Sequence, residues 1–373
     1  MKKKIVKSLS ILGIMIVIAF SGCLRHEVPP VPEPVTGETA LAILDSAALF
    51  YDAAISRGND ASSAIALLVQ WLSSQPEIKS ARVGVNPLLA EFEFLDGTLG
   101  LFFGGEVWPE SDTYLSVQTI LDENLPFPMH NVPGLQKALI FDPFPEIFDR
   151  TPTIVGDDLM KIGYSVTHLK REQANLGAAR SIGEYGVILF VTHGGLRNGK
   201  IVFLTGEELT SENWQAYEQL RKEGRVGVSG HSTQWLSAIR GTKWWFVLPD
   251  YFESENVQPC QNSLFYAHAC DSLINGTMAQ VLFNKGVAAY RGWIRPRRLL
   301  DIILDVKVPQ RFFKAMCSGK SVSEADAEDG SPYAAYVGDG TLMLIPKEPV
   351  KRRRLAFFSM RDGNAEIYVM EAD

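Results

Sequence analysis

Basic charge is in short supply in this sequence: 36 Lys and Arg stand against 43 Asp and Glu, a formal net charge of -7 over 373 residues. A chain that grips a phosphate backbone gathers a basic excess on one face, so nucleic acid is excluded as a partner. Cysteine is scarce too, four in all, which is few for an exported protein built on disulfides. Several chemical signatures are missing as well. Ser229-Gly230-His231 lacks the Gly-x-Ser-x-Gly elbow of serine hydrolases. The acidic stretch 324–330 lacks the alternating ligands of an EF-hand and reads as a solvated helix end. The apolar run 11–20 is too short to favour a stable membrane span.

That run belongs to an export signal. Met1-Lys2-Lys3-Lys4 supplies the positive start, and Phe20-Ser21-Gly22-Cys23 resembles a lipobox, in which small residues fit the signal peptidase and the Cys thiol takes the lipid. Residues 1–22 are thus expected to be a lipoprotein signal peptide, with Cys23 lipidated and the rest anchored outside the cytoplasm, at the cell membrane or envelope. A plain signal peptide or an uncleaved anchor stays open, and either also places the remainder outside. With lipid on Cys23, three thiols remain, Cys260, Cys270 and Cys317, so at least one is free. An oxidising compartment permits a Cys260–Cys317 disulfide, but nothing in the sequence requires it.

A hydrophobic content of 46% over this length fills one large or two medium cores. Residues 23–37 carry Pro29, Pro30, Pro32 and Pro34 among charges, the composition of an extended tether. Helical spacing over 39–56 and 60–73, then short strands at 80–85, 89–94 and 98–103 with a hairpin at Asp96-Gly97, predict a small α+β domain over 38–104. Residues 105–135 read as a connector. From 136 to 346 apolar strands at 138–141, 165–169, 187–191, 264–269 and 287–290 alternate with helices at 155–163, 175–183, 276–285 and 309–318. That alternation predicts an α/β domain, a mostly parallel sheet with helices on both faces. The insertion 200–259, with a hairpin around 200–205 and a core-forming aromatic stretch 244–251, is expected to cap the sheet's functional edge.

In such a sheet ligands bind beyond the carboxyl ends of the strands. After VILFV come Thr192-His193-Gly194-Gly195, and after SLFYAH come Ala269-Cys270-Asp271. Neighbouring strands lie about 4.8 Å apart, so pairing of these two would bring an imidazole and a thiol to the distance that a nucleophile and its base require. Cys270 reacts as the thiolate, which a nearby imidazolium favours. The backbone N–H groups of Gly194 and Cys270 would form an oxyanion hole, and His193 would protonate the leaving amine.

This order of strands, with His-Gly ending one and Ala-Cys ending another, resembles the caspase-like cysteine peptidases of clan CD, such as gingipains, clostripain and legumain. The resemblance runs from ALIF through SVTHL, EYGVILFVTHGG, SLFYAHACDSL and NKGVAAYRGW to a closing YVGDGTLMLI at 336–345, about 210 residues. It implies a caspase-like fold, His193 and Cys270 as the catalytic pair, Gly194 at the oxyanion hole, a peptide or protein substrate, and no metal or cofactor. Several Arg- or Lys-specific members carry Asp two residues before the cysteine, where this chain has His268. That departure withdraws support for a basic-residue preference and puts His268, with Gly195 and Asp271, at the expected substrate pocket.

Blander readings stand beside this one. A lone strand-end Cys is more often an inert core residue. A decayed relative would use the same cleft for binding only, and an adhesion or assembly protein would work through its N-terminal part. Zinc on His268, Cys270 and His193 lacks a fourth ligand and fits no zinc spacing, and His168 reads as a strand residue with a satisfied ring. At the chain's end, 351–373 resembles part of a TolB-type β-propeller repeat, two strands turning at Arg361-Asp362-Gly363-Asn364.

Overall fold

The computed structural model describes residues 35–104, 132–148, 150–232, 243–294 and 307–345, together with the backbone of two later strands, 354–359 and 366–371. The expected signal 1–22, the Cys23 expected to carry lipid, most of the tether, residues 105–131 of the connector and the turn at Arg361 to Asn364 lie outside the described residues.

Helix α1 (Gly37–Ser56) is capped by the Thr36 hydroxyl, which accepts from the Thr39 N–H at 3.1 Å. Helix α2 (Ala61–Ser73) is capped by Asp60, which accepts from the Ser63 N–H at 2.8 Å. Each cap satisfies a donor that the first turn leaves without a partner, worth about 1 kcal/mol. Among the described residues α1 is the one helix long and apolar enough to cross a membrane by length and composition. Its Ala40, Leu44, Ala47, Tyr51 and Ala54 are nonetheless core residues here.

Strands β1 (Ile78–Val83), β2 (Leu89–Phe94) and β3 (Leu99–Phe103) form an antiparallel meander. Its second turn is the expected one: Asp96 accepts from the Thr98 N–H at 3.0 Å, and Gly97 takes φ +87°. There follow β4 (Lys137–Asp142), β5 (Ser165–Lys170), β6 (Val187–Val191), β7 (Gly194–Arg197), β8 (Lys200–Glu208), β9 (Val226–His231), β10 (Lys243–Val247), β11 (Ser263–His268), β12 (Val287–Trp293) and β13 (Ala334–Gly338). An antiparallel pair, β14 (Arg354–Ser359) and β15 (Glu366–Glu371), stands as a sheet of its own.

One sheet has the order β13-β12-β11-β6-β4-β5, parallel throughout except for β13 at its edge. Successive residues face opposite sides, so Leu189, Val191, Leu264 and Tyr266 join one apolar cluster while Ile188, Phe190, Phe265 and Ala267 join the other. Helix α3 (Thr151–Lys161) packs on the first face. Helix α4 (Thr277–Asn284) covers the second, and α5 (Lys307–Cys317) returns to the first with Phe312 and Phe313. The α/β reading therefore holds, with helices on both faces of a mostly parallel sheet.

The rest of the chain is pooled differently from the expectation. Strands of 38–104 and strands of the insertion share a single seven-stranded sheet, β1-β2-β3-β9-β10-β8-β7, in which β3 pairs parallel with β9 and the other neighbours are antiparallel. The physical reason lies in β3 and β9: an open edge at β3 would leave a row of backbone groups unpaired, and the fully buried β9 supplies their partners. The sheet also curls. Arg197 on the last strand donates to Glu91 at 3.0 Å and to the Phe92 carbonyl at 3.0 Å on β2.

Two local readings are corrected. The hairpin expected around 200–205 turns earlier, at Asn198-Gly199, where φ of +52° and +73° suits the two-residue turn that matches strand twist. The helix end expected to be solvated at 324–330 sends Asp329 into the core from α6 (Val322–Asp329), because Arg291 is buried there. Arg291 donates to Asp329, to Asp326 at 2.9 Å and to the Tyr266 hydroxyl at 2.5 Å, and Arg311 reaches Asp329 at 3.0 Å. Cys260 and Cys317 are both free thiols.

A buried charge stripped of its partner costs about 3–5 kcal/mol, whereas a partly solvated partner contributes about 1 kcal/mol or less. Asp329→Ala is thus expected to lower the unfolding free energy by about 3 kcal/mol in urea titration at pH 7, and Asp326→Ala by no more than a third of that. Equal costs for the two would show that Asp329 does not carry the network.

Candidate active site

The two chemistry-bearing strand ends are neighbours. Strands β6 and β11 pair in parallel with Val191 opposite His268, and the Thr192 N–H donates to the His268 carbonyl at 3.2 Å. Val191 and His268 are the last paired residues, and the same register carried two residues further sets His193 opposite Cys270. Alternation places both on the face that already holds Val191 and Tyr266. Ring contacts agree: His193 lies 4.9 Å from Phe144 and 5.8 Å from Phe148, His268 lies 5.7 Å from Phe148, and Cys270 packs against the same cluster.

Beyond His193 the chain leaves one sheet for the other. The Thr192 hydroxyl donates to the Leu204 carbonyl at 2.7 Å, the Leu204 N–H donates to the His193 carbonyl at 3.0 Å, and Gly194 pairs with Phe203. A Cβ on Gly194 would stand 2.2 Å from the Cys270 carbonyl oxygen, inside contact distance, so only glycine fits. The place a side chain at 194 would take is filled by the backbone of Cys270. Gly195 faces elsewhere, toward Phe103 and Leu89 of the second sheet.

His268 is fully buried and also lies 5.4 Å from the Trp293 ring. Asp271 takes φ +58° and is fully buried, and its carboxyl oxygens meet no hydrogen-bond donor among the described residues. Of the residues read from sequence, His193, Gly194, His268 and Cys270 therefore gather at one strand edge. Gly195 turns away from it, and Asp271 is enclosed beside it.

Sequence reasoning missed the rings. Phe103 stacks on His231 at 4.7 Å, His231 meets Trp244 edge-on at 4.9 Å, and Trp244 meets Phe144 at 5.2 Å. With the contacts above, a continuous strip runs from Phe103 to Trp293 in which each of three buried histidines sits between aromatic rings. Its signal was present in FDPFPEIF, 141–148, an aromatic-rich segment directly after a strand, where ligand-facing residues are expected.

Burial sets the electrostatics. It pushes the His193 imidazole down to about 3, and it takes His231 well below its ordinary value, with His193 nearby lowering it further. The Asp271 carboxyl goes the other way, pushed up to about 7 by burial. At the ends of β4 and β5, His168 Nε2 lies 3.1 Å from Asp142 Oδ2. Burial raises Asp142, and His168 offsets part of that rise. Beside Phe144 lies a cavity of about 290 Å³, lined also by Trp244, Arg171, Glu146, Glu172 and Glu208. Among the described residues no group of three or more His, Cys, Asp or Glu side chains is arranged to hold a metal ion.

No protein-family model, no curated protein and no solved structure matches this chain.

Two measurements check this geometry. Gly194→Ala forces a Cβ into the Cys270 carbonyl and is expected to cost about 2 kcal/mol or more in urea denaturation; a cost near zero would mean that the strand ends are not in contact. The second concerns pH. Between pH 6.5 and about 3 the unfolded chain binds the proton that folded His193 refuses, so this contribution is lost as pH falls. Folded Asp271 holds an extra proton between 3.8 and about 7, so its contribution is lost as pH rises through that window. The stability of Asp271→Asn relative to the parent should therefore climb from pH 4 to pH 7, by at most about 1.4 kcal/mol per unit. A flat difference would place Asp271 in water.

Proposed function

We propose that this chain is a cysteine peptidase of caspase-like architecture, acting outside the cytoplasm from a lipid anchor on Cys23, with Cys270 as nucleophile and His193 as acid and base. One observation carries it: an imidazole and a thiol sit at matching carboxyl ends of adjacent parallel strands and on one face. In this reading the Cys270 proton passes to His193, the thiolate attacks a peptide carbonyl, and the N–H groups of Gly194 and Cys270 receive the developing oxyanion. His193 then protonates the departing amine. A thioester remains, which water hydrolyses with His193 as base. His268 borders the pocket for the substrate residue before the cut, and the substrate class is a peptide or protein. The export signal and lipobox at the N-terminus support the location.

A second reading is favoured by one specific observation. His193 is only 2% exposed, and burial holds it neutral far below neutral pH, as suits a catalytically silent module of the same fold that binds rather than cuts. A peptide library incubated with the purified chain separates the two. Cleavage is expected from the parent and is expected to fall by about a thousand-fold or more in Cys270→Ala and in His193→Ala. Cleavage that survives Cys270→Ala, or none from the parent under any condition tested, would sink the peptidase reading.

A further inference from the structure

The segment 143–148 runs from the end of β4 toward α3 and puts two rings over His193. Phe144 and Phe148 are each 1% exposed, and both rings are tilted 51° to the imidazole. Cys270, by contrast, is partly exposed. A scissile peptide against Cys270 must offer its leaving nitrogen to His193, which is 2% exposed with the two phenyl rings packed against it. The segment has to move before the pair can act on anything.

Besides the burial of its two rings, local contacts hold the segment. Arg171, just after β5, donates through Nε to Glu146 at 2.8 Å. Its backbone is fixed: φ is +50°, a Cβ on Gly206 would meet its carbonyl oxygen at 1.9 Å, and Gly206 donates to Ala174 at 2.7 Å. Arg171 is thus a post mounted on β8, and Glu146 is the hook. The base of the segment is pinned where Asp142 accepts from His168. Arg171 and Glu146 are 63% and 34% exposed, so their pair shifts an equilibrium by no more than about five-fold and can be released without unfolding. A cavity of about 290 Å³ lies beside the Phe144 ring, between Trp244, Glu146 and Arg171.

We propose that 143–148 is a gate over His193, latched by the Arg171–Glu146 pair, and that the arrangement described is its closed state. The gate rests on the reading of His193 and Cys270 as a peptidase pair, but it can be tested without any cleavage. Deuterium exchange at the C2 position of each histidine ring, read peptide by peptide on the purified chain, reports ring accessibility. Glu146→Gln should raise exchange at His193 about two- to five-fold. Phe148→Leu, which keeps the core apolar but removes one ring, should raise it about ten-fold or more, with His168 unchanged in both. No change at His193 in either variant overturns the gate, and so does a parallel rise at His168 and His231, which would be general loosening. Faster exchange with no cleavage by either variant keeps the gate and removes the peptidase reading. Cleavage that is equally fast in parent and variants does the reverse.

Discussion

Thr192 serves two sheets at once. Its N–H belongs to the parallel ladder through the His268 carbonyl, and its hydroxyl reaches Leu204 in the seven-stranded sheet. Between those two anchors the chain has no freedom to place His193 anywhere but at the seam, and the next residue must be glycine because the Cys270 carbonyl fills the position of its side chain. Both polar groups of Thr192 are buried and paired, and breaking either leaves a buried donor or acceptor unmatched, at about 1–3 kcal/mol. The placement of His193 and Cys270 at matching strand ends therefore follows from how two sheets are stitched together.

The second sheet also decides the chemical character of that seam. An open carboxyl edge of a parallel sheet is wet, and a histidine there titrates near neutrality. Here Trp244 and Phe103 arrive from the seven-stranded sheet and Phe144 and Phe148 from the segment after β4, so three imidazoles are enclosed among rings. Desolvation disfavours the charged form of each histidine it acts on and, at Asp271, disfavours the carboxylate. In the proposed peptidase reading, proton transfer from Cys270 to His193 would separate charge, a step that water or a substrate dipole eases. In the proposed gate a closed, dry seam and an open one would be two states of one structure, with the exposed Arg171–Glu146 pair between them.

Much of the first sheet was legible. Apolar runs of five or six residues at 137–142, 187–191 and 263–268 have a local signature, and the observed strands fall within a residue or two of the expected ones. The shared face of His193 and Cys270 follows from parallel pairing and a two-residue period once the strands are neighbours. The pooling of β1–β3 with β9 and β10 was not legible: β3 and β9 are separated by more than a hundred residues, and nothing in either segment specifies its partner. Asp329 was misread for the same reason. An acidic helix end looks solvated until the distant Arg291 is known to be buried behind it. Asn198-Gly199 was a different kind of miss, since that dipeptide carries its turn locally.

By itself the sequence determined the local conformations: which segments are helices and strands, which termini are capped, where glycine must turn the chain, and that a His-Gly and an Ala-Cys each end an apolar strand. Those follow from side-chain periodicity and backbone sterics acting over a few residues. Tertiary structure alone decided that the two strands are neighbours and that a second sheet closes over their ends. It also set His193 among rings and Asp271 beside them without solvent. Burial and the field it creates are properties of everything packed around a group, and that surrounding is assembled from segments whose sequences carry no record of one another.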